Sequence, residues 1–221
     1  MPGILHIVAT PIGNLSDMTF RAVDTLKKVD GILCEDTRVT KNLLDHYSIT
    51  TPTLSYHQHS DARRTKEIES MLSEGKNLAL VTDAGTPGIS DPGNKLVGYL
   101  VKKGITVSPI PGAAAVSAAL SISGFPTDRF TFLGFPPHKN KRQKYFKSAA
   151  AIEHTVVFYE SGHRIYKCLN DLAAVLPEKR ELAIGRELTK KFETVYRGTI
   201  RELLAINIID KGEFVVVINA L

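Results

Sequence analysis

Residues 81–93, Val-Thr-Asp-Ala-Gly-Thr-Pro-Gly-Ile-Ser-Asp-Pro-Gly, gather three glycines, two prolines and two aspartates between an apolar run and a stretch of helical spacing. The run is 77–81; the helical spacing is at Leu96, Val97, Leu100 and Val101. A turn made only to reverse the chain needs one or two such residues. At the carboxyl end of a strand in an open α/β sheet, this composition suits a wall against a ligand. Two other loops share the character: 10–17 after an apolar run at 4–9, and 111–115, Pro-Gly-Ala-Ala-Ala, after one at 105–110. Loops that follow parallel strands gather at one sheet edge, so the three are expected to line one cleft. Gly112, Ala113 and Ala114 offer main chain rather than side chain, which suits close backbone recognition of a flat or extended ligand. Loop 10–17 has a single glycine and fits neither the dinucleotide fingerprint nor the phosphate loop.

Charged residues near the ends of expected strands supply the acid–base candidates: Glu35, Asp36, Arg38, Glu160, Arg164, Arg186, Glu187 and Lys190. A structural ion pair or a surface charge is the competing reading for each. Asp36 and Arg38 lead, because Glu-Asp-Thr-Arg follows the second strand at the same sheet edge, and Lys190 comes next. Asp83 and Asp91 are expected to brace their loop by capping its amides and the following helix. His57-Gln58-His59 with Asp61 invites a metal reading, but no further ligand spacing supports one, and no metal is expected. The densest basic stretch, 138–147, contains Tyr145 and Phe146. It reads either as a surface for RNA phosphates with a ring stacked on a base, or as a solvated helix face whose aromatics enter the core.

The elements that must carry these residues alternate strand and helix through the first half of the chain, which predicts an α/β domain with a largely parallel sheet. A helix is expected at Phe20, Val23, Leu26 and Val29, with Ser16, Asp17 or Thr19 as cap. A short strand at 32–34, a helix around Leu43, Leu44 and Tyr47 that ends before a turn at Pro52, and a helix around Ile68, Met71 and Leu72 follow. The small-residue run 112–119 predicts a closely packed helix. After Phe125-Pro126 the strands lengthen and adjoin: 130–134, 155–160, 182–187, 193–198 and 213–218, the third and fourth forming a hairpin. The expected division is an N-terminal domain, 1–111, carrying the Gly/Pro-rich loops, and a C-terminal domain, 112–221, with a mixed sheet.

The 221 residues suffice for a buried core, and 43% hydrophobic with 23% charged residues is an ordinary globular balance. A net charge of +5 is a mild pointer to an anionic partner. Two cysteines, Cys34 and Cys168, make neither a disulfide framework nor a zinc site, so a reduced cytoplasmic protein is expected. The first eight residues do not read as a signal peptide, and no apolar run is long enough to span a membrane.

The segments Ala9-Thr10-Pro11-Ile12-Gly13-Asn14-Leu15, Cys34-Glu35-Asp36-Thr37-Arg38, 82–93 and Ile110-Pro111-Gly112-Ala113 resemble the bacterial 16S rRNA ribose 2′-O-methyltransferases of the tetrapyrrole methylase superfamily. Gly124-Phe125-Pro126, 132–137, 158–164 and 185–190 continue the resemblance, which covers essentially the whole chain in order. It implies two α/β domains, S-adenosylmethionine (SAM) bound folded in the cleft between them largely through main chain, a homodimer, and methylation of a cytidine ribose in small-subunit rRNA. Carried onto this sequence, the cofactor contacts come from Pro11 and Ile12, from Gly85, Thr86, Pro87 and Ile89, and from Gly112, Ala113 and Ala114. Backbone around Val157 and Phe158, with Ala183 and Ile184, completes the pocket. Family members commonly continue past the 213–218 strand into a small helical extension, whereas this sequence ends at Leu221. Two other readings keep part of this picture: a SAM-dependent methylase of a tetrapyrrole or other small molecule, and a non-catalytic RNA-binding ribosome-assembly factor. Glu-Asp-Thr-Arg and Tyr-Glu-Ser-Gly-His-Arg look like the rRNA branch.

Overall fold

The structure, a computed structural model, describes residues 1–57 and 62–221. The chain forms two compact units, Met1–Ala114 and Ala115–Leu221.

In the first unit, β1 (Ile4–Val8), β2 (Gly31–Cys34), β3 (Thr53–Ser55), β4 (Leu78–Leu80) and β5 (Thr106–Ile110) form a five-stranded sheet in the order β3-β2-β4-β1-β5. Every pairing is parallel. Such a sheet must be covered on both faces, and the strands are accordingly short apolar runs with little alternation. On one face Val8, Ile32, Ala79 and Ile110 pack with Ala22 and Leu26 of α1 (Phe20–Lys28) and Leu43 and Leu44 of α2 (Thr37–His46). On the other, Leu5, Leu33, Leu78 and Leu80 pack with Ile68 and Leu72 of α3 (Ala62–Ser73) and Leu96 and Leu100 of α4 (Asn94–Lys102). Of the three candidate caps for α1, Thr19 serves, accepting from Ala22 N at 3.1 Å; Ser16 and Asp17 lie in a 3-10 turn, Leu15–Asp17. The strand β3 is an addition to the sequence reading, which had only a turn there.

The second unit carries β6 (Phe130–Phe132), β7 (Thr155–Ser161), β8 (Glu181–Arg186), β9 (Thr194–Thr199) and β10 (Glu213–Ile218) in the order β6-β7-β10-β8-β9. The β6–β7 pair is parallel and the other pairs are antiparallel, so the sheet is mixed, and β8–β9 is the expected hairpin. Val156, Phe158, Ile184, Phe214 and Val216 pack on one face against Phe146 of α6 (Arg142–Ala150), Leu169 and Leu172 of α7 (Ile165–Ala173) and Leu203 of α8 (Ile200–Ala205). Helix α5 (Ala115–Ser123), which starts three residues later than the small-residue run suggested, packs on β7, β8 and β10.

At the carboxyl end of β7 a charge network is buried. The side chain of Glu160 is 0% exposed and pairs with Arg142 Nη2 at 3.3 Å and Arg164 Nε at 2.8 Å. Arg142, 4% exposed, also reaches Asp171 Oδ2 at 2.7 Å and donates to the Pro137 carbonyl at 3.1 Å. That last bond ties the loop after β6 to the first residue of α6.

Candidate active site

Because β4, β1 and β5 are neighbours in the first sheet, the loops that follow them meet at its carboxyl edge. Thr10 N donates to Gly85 O at 2.9 Å and Gly85 N returns a bond to Thr10 O at 3.1 Å, an isolated bridge that joins the first two loops. The buried Thr10 hydroxyl donates to Thr82 O at 3.0 Å. Thr86 Oγ1 donates to Ala113 O at 3.1 Å, fastening the third loop to the second. Gly85 has φ +84°, and a Cβ there would lie 3.3 Å from Ile12 Cγ2 and 3.7 Å from Ala113 O, so all three loops converge on a position made for glycine. A Cβ on Gly112 would stand 3.0 Å from that of Ala9. Hydrogen bonds thus join Thr10, Gly85, Thr86 and Ala113, and Ile12 and Gly112 pack closely beside them, with Pro11 and Pro87 buried in the same loops and Ala114 next in the chain. Ile89, 41% exposed, closes a turn through its N–H to Thr86 O at 3.2 Å. Thr10 is the loop-tying position that sequence reasoning missed. Nothing in a lone threonine after a strand signals a hydroxyl shared between loops.

In the second unit Val157 and Ala183 both stand opposite Val217, and so occupy one row of the sheet. Phe158 and Ile184 both stand opposite Val216, and their side chains fill the apolar core. The main chain here is held by the ladder; Val157 O, for example, accepts from Leu133 N at 3.0 Å.

Asp36 is the N-cap of α2, accepting from Arg38 N at 2.8 Å, and its two oxygens hold Arg38 Nε at 3.1 Å and Nη2 at 2.7 Å. These bonds hold the Asp36 carboxyl down at about 2, where it is a weak base. The Arg38 side chain is 89% exposed, so the arrangement presents a guanidinium to solvent in a fixed orientation. Lys190 lies in the β8–β9 loop, 3.0 Å from Glu187 Oε1 and 2.9 Å from Glu213 Oε2. Burial alone would lower its pKa, but the bonds to Glu213 and Glu187 outweigh it and hold the ammonium above its ordinary value. Glu160 and Arg164 share the buried network, and Arg186 donates to Lys211 O at 2.7 Å and Phe192 O at 2.9 Å. Glu187 accepts from Glu213 N at 2.9 Å as well as from Lys190.

One expectation changes. Asp83 and Asp91 do not cap α4, whose N-cap is Gly93 with no side-chain bond. Asp83 instead accepts from Asp36 N at 3.4 Å, bracing the neighbouring loop. Of the two readings of 138–147, the one with its aromatics in the core holds: Phe146 is fully buried, and the Tyr145 and Phe146 rings meet Phe158 at centroid distances of 5.9 and 6.0 Å. The helix periodicity turns them inward with Arg142 and Ala149.

Burial pushes the Asp91 carboxyl up to about 6; the Thr82 hydroxyl works against the rise and the charges of Glu35 and Asp83 add to it. A carboxyl that binds its proton more tightly when folded stabilises the fold below its unfolded pKa of about 4, and this contribution is lost as pH rises through about 6. Asp91→Asn should therefore gain melting temperature relative to the parent as pH is raised from about 4 to 7. Parallel thermal melts that differ by a constant offset over that range would refute this.

Gln58, His59 and Asp61 of the metal reading lie outside the described residues. Among the described residues no group of three His, Cys, Asp or Glu side chains is placed to hold a metal ion, and no helix is long and apolar enough to cross a membrane.

Residues 4–204 match the family model described as Tetrapyrrole (Corrin/Porphyrin) Methylases. The chain is 52% identical over 98% of its length to "Ribosomal RNA small subunit methyltransferase I" of Synechocystis sp., covering 78% of that protein. It is 47% identical over 98% of its length to the Bacillus subtilis protein of the same name, covering 75% of it. Among solved structures, a diphthine synthase superposes with a TM-score of 0.76 at 14% identity, over 99% of this chain and 90% of that one. The uroporphyrin-III-C-methyltransferase of Thermus thermophilus superposes with a TM-score of 0.69 at 17% identity, over 98% and 94% of the two chains. At those identities the structures share the fold.

Proposed function

Because the chain belongs to the Tetrapyrrole (Corrin/Porphyrin) Methylases, we propose that it is a SAM-dependent methyltransferase that methylates the 2′-oxygen of a cytidine ribose in small-subunit (16S) rRNA. The observation that carries the substrate is the kinship over nearly the whole chain with ribosomal RNA small subunit methyltransferases. The solved uroporphyrin and diphthine enzymes, at 17% and 14% identity, carry the fold and not the substrate.

SAM supplies a methyl group already activated on a sulfonium. What remains for the protein is alignment, which at best contributes roughly 7–11 kcal/mol. The loop array suits such a ligand, since its small residues expose main chain and Gly85 stands where a side chain would crowd Ile12. We assign the cofactor contacts to Pro11, Ile12, Gly85, Thr86, Pro87, Ile89 and 112–114, with Thr10 and Thr86 as the ties that hold the loops in register. The family resemblance adds the backbone around Val157, Phe158, Ala183 and Ile184 to the cofactor contacts. A ribose hydroxyl is a poor acid, and a fixed positive charge favours its ionised form. Arg38, positioned by Asp36, takes that role as the hydroxyl proton passes to solvent water, and Lys190, kept protonated by its two glutamates, is the second such cation. The family resemblance further supports a homodimer in the cytoplasm.

The test is transfer of labelled methyl groups from SAM to isolated small ribosomal subunits, with mapping of the modified nucleotide. Label on a single cytidine ribose is expected. Label in a tetrapyrrole acceptor instead, or SAM binding in calorimetry with no transfer at all, would overturn the assignment.

A further inference from the structure

From residue 130 to residue 152 the chain contains no Asp or Glu but five basic residues: Lys139, Lys141, Arg142, Lys144 and Lys147. Arg142 is turned inward and its charge is met by Glu160 and Asp171. The four lysines are exposed, and no ion pair among the described residues engages them. Lys144 and Lys147 stand three residues apart on one side of α6, and Lys141 is the exposed N-cap just before it, so the three span about 9 Å along the helix axis. Arg142, Phe146 and Ala149 occupy the buried face. In the loop that Arg142 ties down through Pro137, Phe135 is 52% exposed. Its ring packs against Tyr159 at a centroid distance of 5.4 Å, which holds it without covering it.

We propose that Phe135, Lys139 and the lysines 141, 144 and 147 along α6 form a docking strip for single-stranded rRNA, the lysines taking backbone phosphates and Phe135 stacking on a base. The proposal rests on the rRNA reading above and adds the surface that would hold the substrate. Charge complementarity favours a polyanion, and an exposed ring beside unpaired cations is the combination that single-strand binding uses. A lipid surface fits poorly, because Gln143 and Ser148 lie among the lysines and Phe135 is the one large apolar side chain exposed in the strip.

The experiment compares the parent with Lys141→Gln/Lys144→Gln/Lys147→Gln and with Phe135→Leu. Binding to isolated small subunits and to poly(C) is measured over a potassium chloride series, with SAM calorimetry and thermal melts on each protein. Each lysine that neutralises a phosphate contributes about 0.7 to the slope of log K against log salt, so the triple variant should lose about 2 from the slope. Over a fourfold rise in salt the parent should then lose about twentyfold more affinity than the variant. Phe135→Leu should bind about tenfold more weakly with its salt slope unchanged. SAM affinity should be unaffected in both. An unchanged slope and affinity in folded, SAM-binding variants overturns the strip while leaving the rRNA reading intact. A change in sedimentation instead of RNA affinity would assign the face to a second copy and also overturn it. A parent protein that transfers no methyl to small subunits overturns the rRNA reading and the strip together.

Discussion

Glu160→Leu should destabilise the second unit by about 3–5 kcal/mol, the cost of removing one partner from a buried ion pair. At about 4 °C or more per kcal/mol for a unit of this size, the melting transition should fall by roughly 12 °C or more. Glu160 Oε1 accepts from Ser161 N at 2.9 Å and faces Arg164, while Oε2 faces Arg142. Leucine fills much of the volume but answers none of these donors. Arg164 suffers most, because it keeps only the Ser161 hydroxyl at 2.8 Å and its Nη1 is already buried without a partner. Arg142 retains Asp171. Adding Arg164→Met to Glu160→Leu should recover part of the loss, since replacing both members of a buried pair by apolar groups is often near neutral. Urea unfolding followed by circular dichroism reads both effects. A loss below about 1 kcal/mol in the single variant would show that water or rearrangement answers the arginines, and the network would then be incidental to stability.

The distribution of what could be read from sequence follows the range of the interactions. Apolar runs such as 155–160 and 213–218 announce strands because burial on both faces selects their residues locally, and the three Gly/Pro-rich loops announce themselves by composition. The strand Thr53–Ser55 is three residues long, two of them hydroxylic, and becomes a strand because β2 offers it a parallel partner. Arg142 is the sharper case. A charged residue at the head of a basic stretch reads as solvent-facing, yet it lies in the core because Glu160 and Asp171, 18 and 29 residues away, neutralise it. Its burial fixes the helix phase, which sends Phe146 inward and the lysines outward. Asp83 follows the same logic: its bond crosses to Asp36 N, 47 residues distant in sequence, instead of serving the helix beside it. The candidate site was legible at the level of loops, and the pairings that hold the loops were not.

Asp36→Asn should leave the fold and SAM affinity unchanged while lowering the rate of methyl transfer by about a hundredfold or more, the scale of losing one preorganised charge contact. The substitution separates two roles that the carboxylate combines. Asparagine caps a helix about as well as aspartate, so the bond from Arg38 N and the start of α2 survive. What is lost is the anionic clamp on the guanidinium, now held at 2.7 and 3.1 Å. An arginine 89% exposed and released from that clamp regains its rotamers, and the alignment it provided is spent on reordering it for each turnover. Arg38→Lys should be nearly as slow, because a lysine keeps the charge but cannot take the two-pronged geometry. Asp36→Ala should be slower than the parent by a similar factor and also less stable by about 1 kcal/mol, because it removes the cap as well. The measurement is kcat and KM on small subunits for the three variants, with SAM calorimetry alongside. With its carboxyl held at about 2, Asp36 stays ionised across neutral pH, so the turnover profile should carry no inflection of its own there. If Asp36→Asn turns over like the parent while Asp36→Ala does not, Asp36 is a helix cap and the Arg38 role falls with it. If instead both are slow and only Asp36→Ala loses stability, the clamp acts in positioning the cation, separately from the cap.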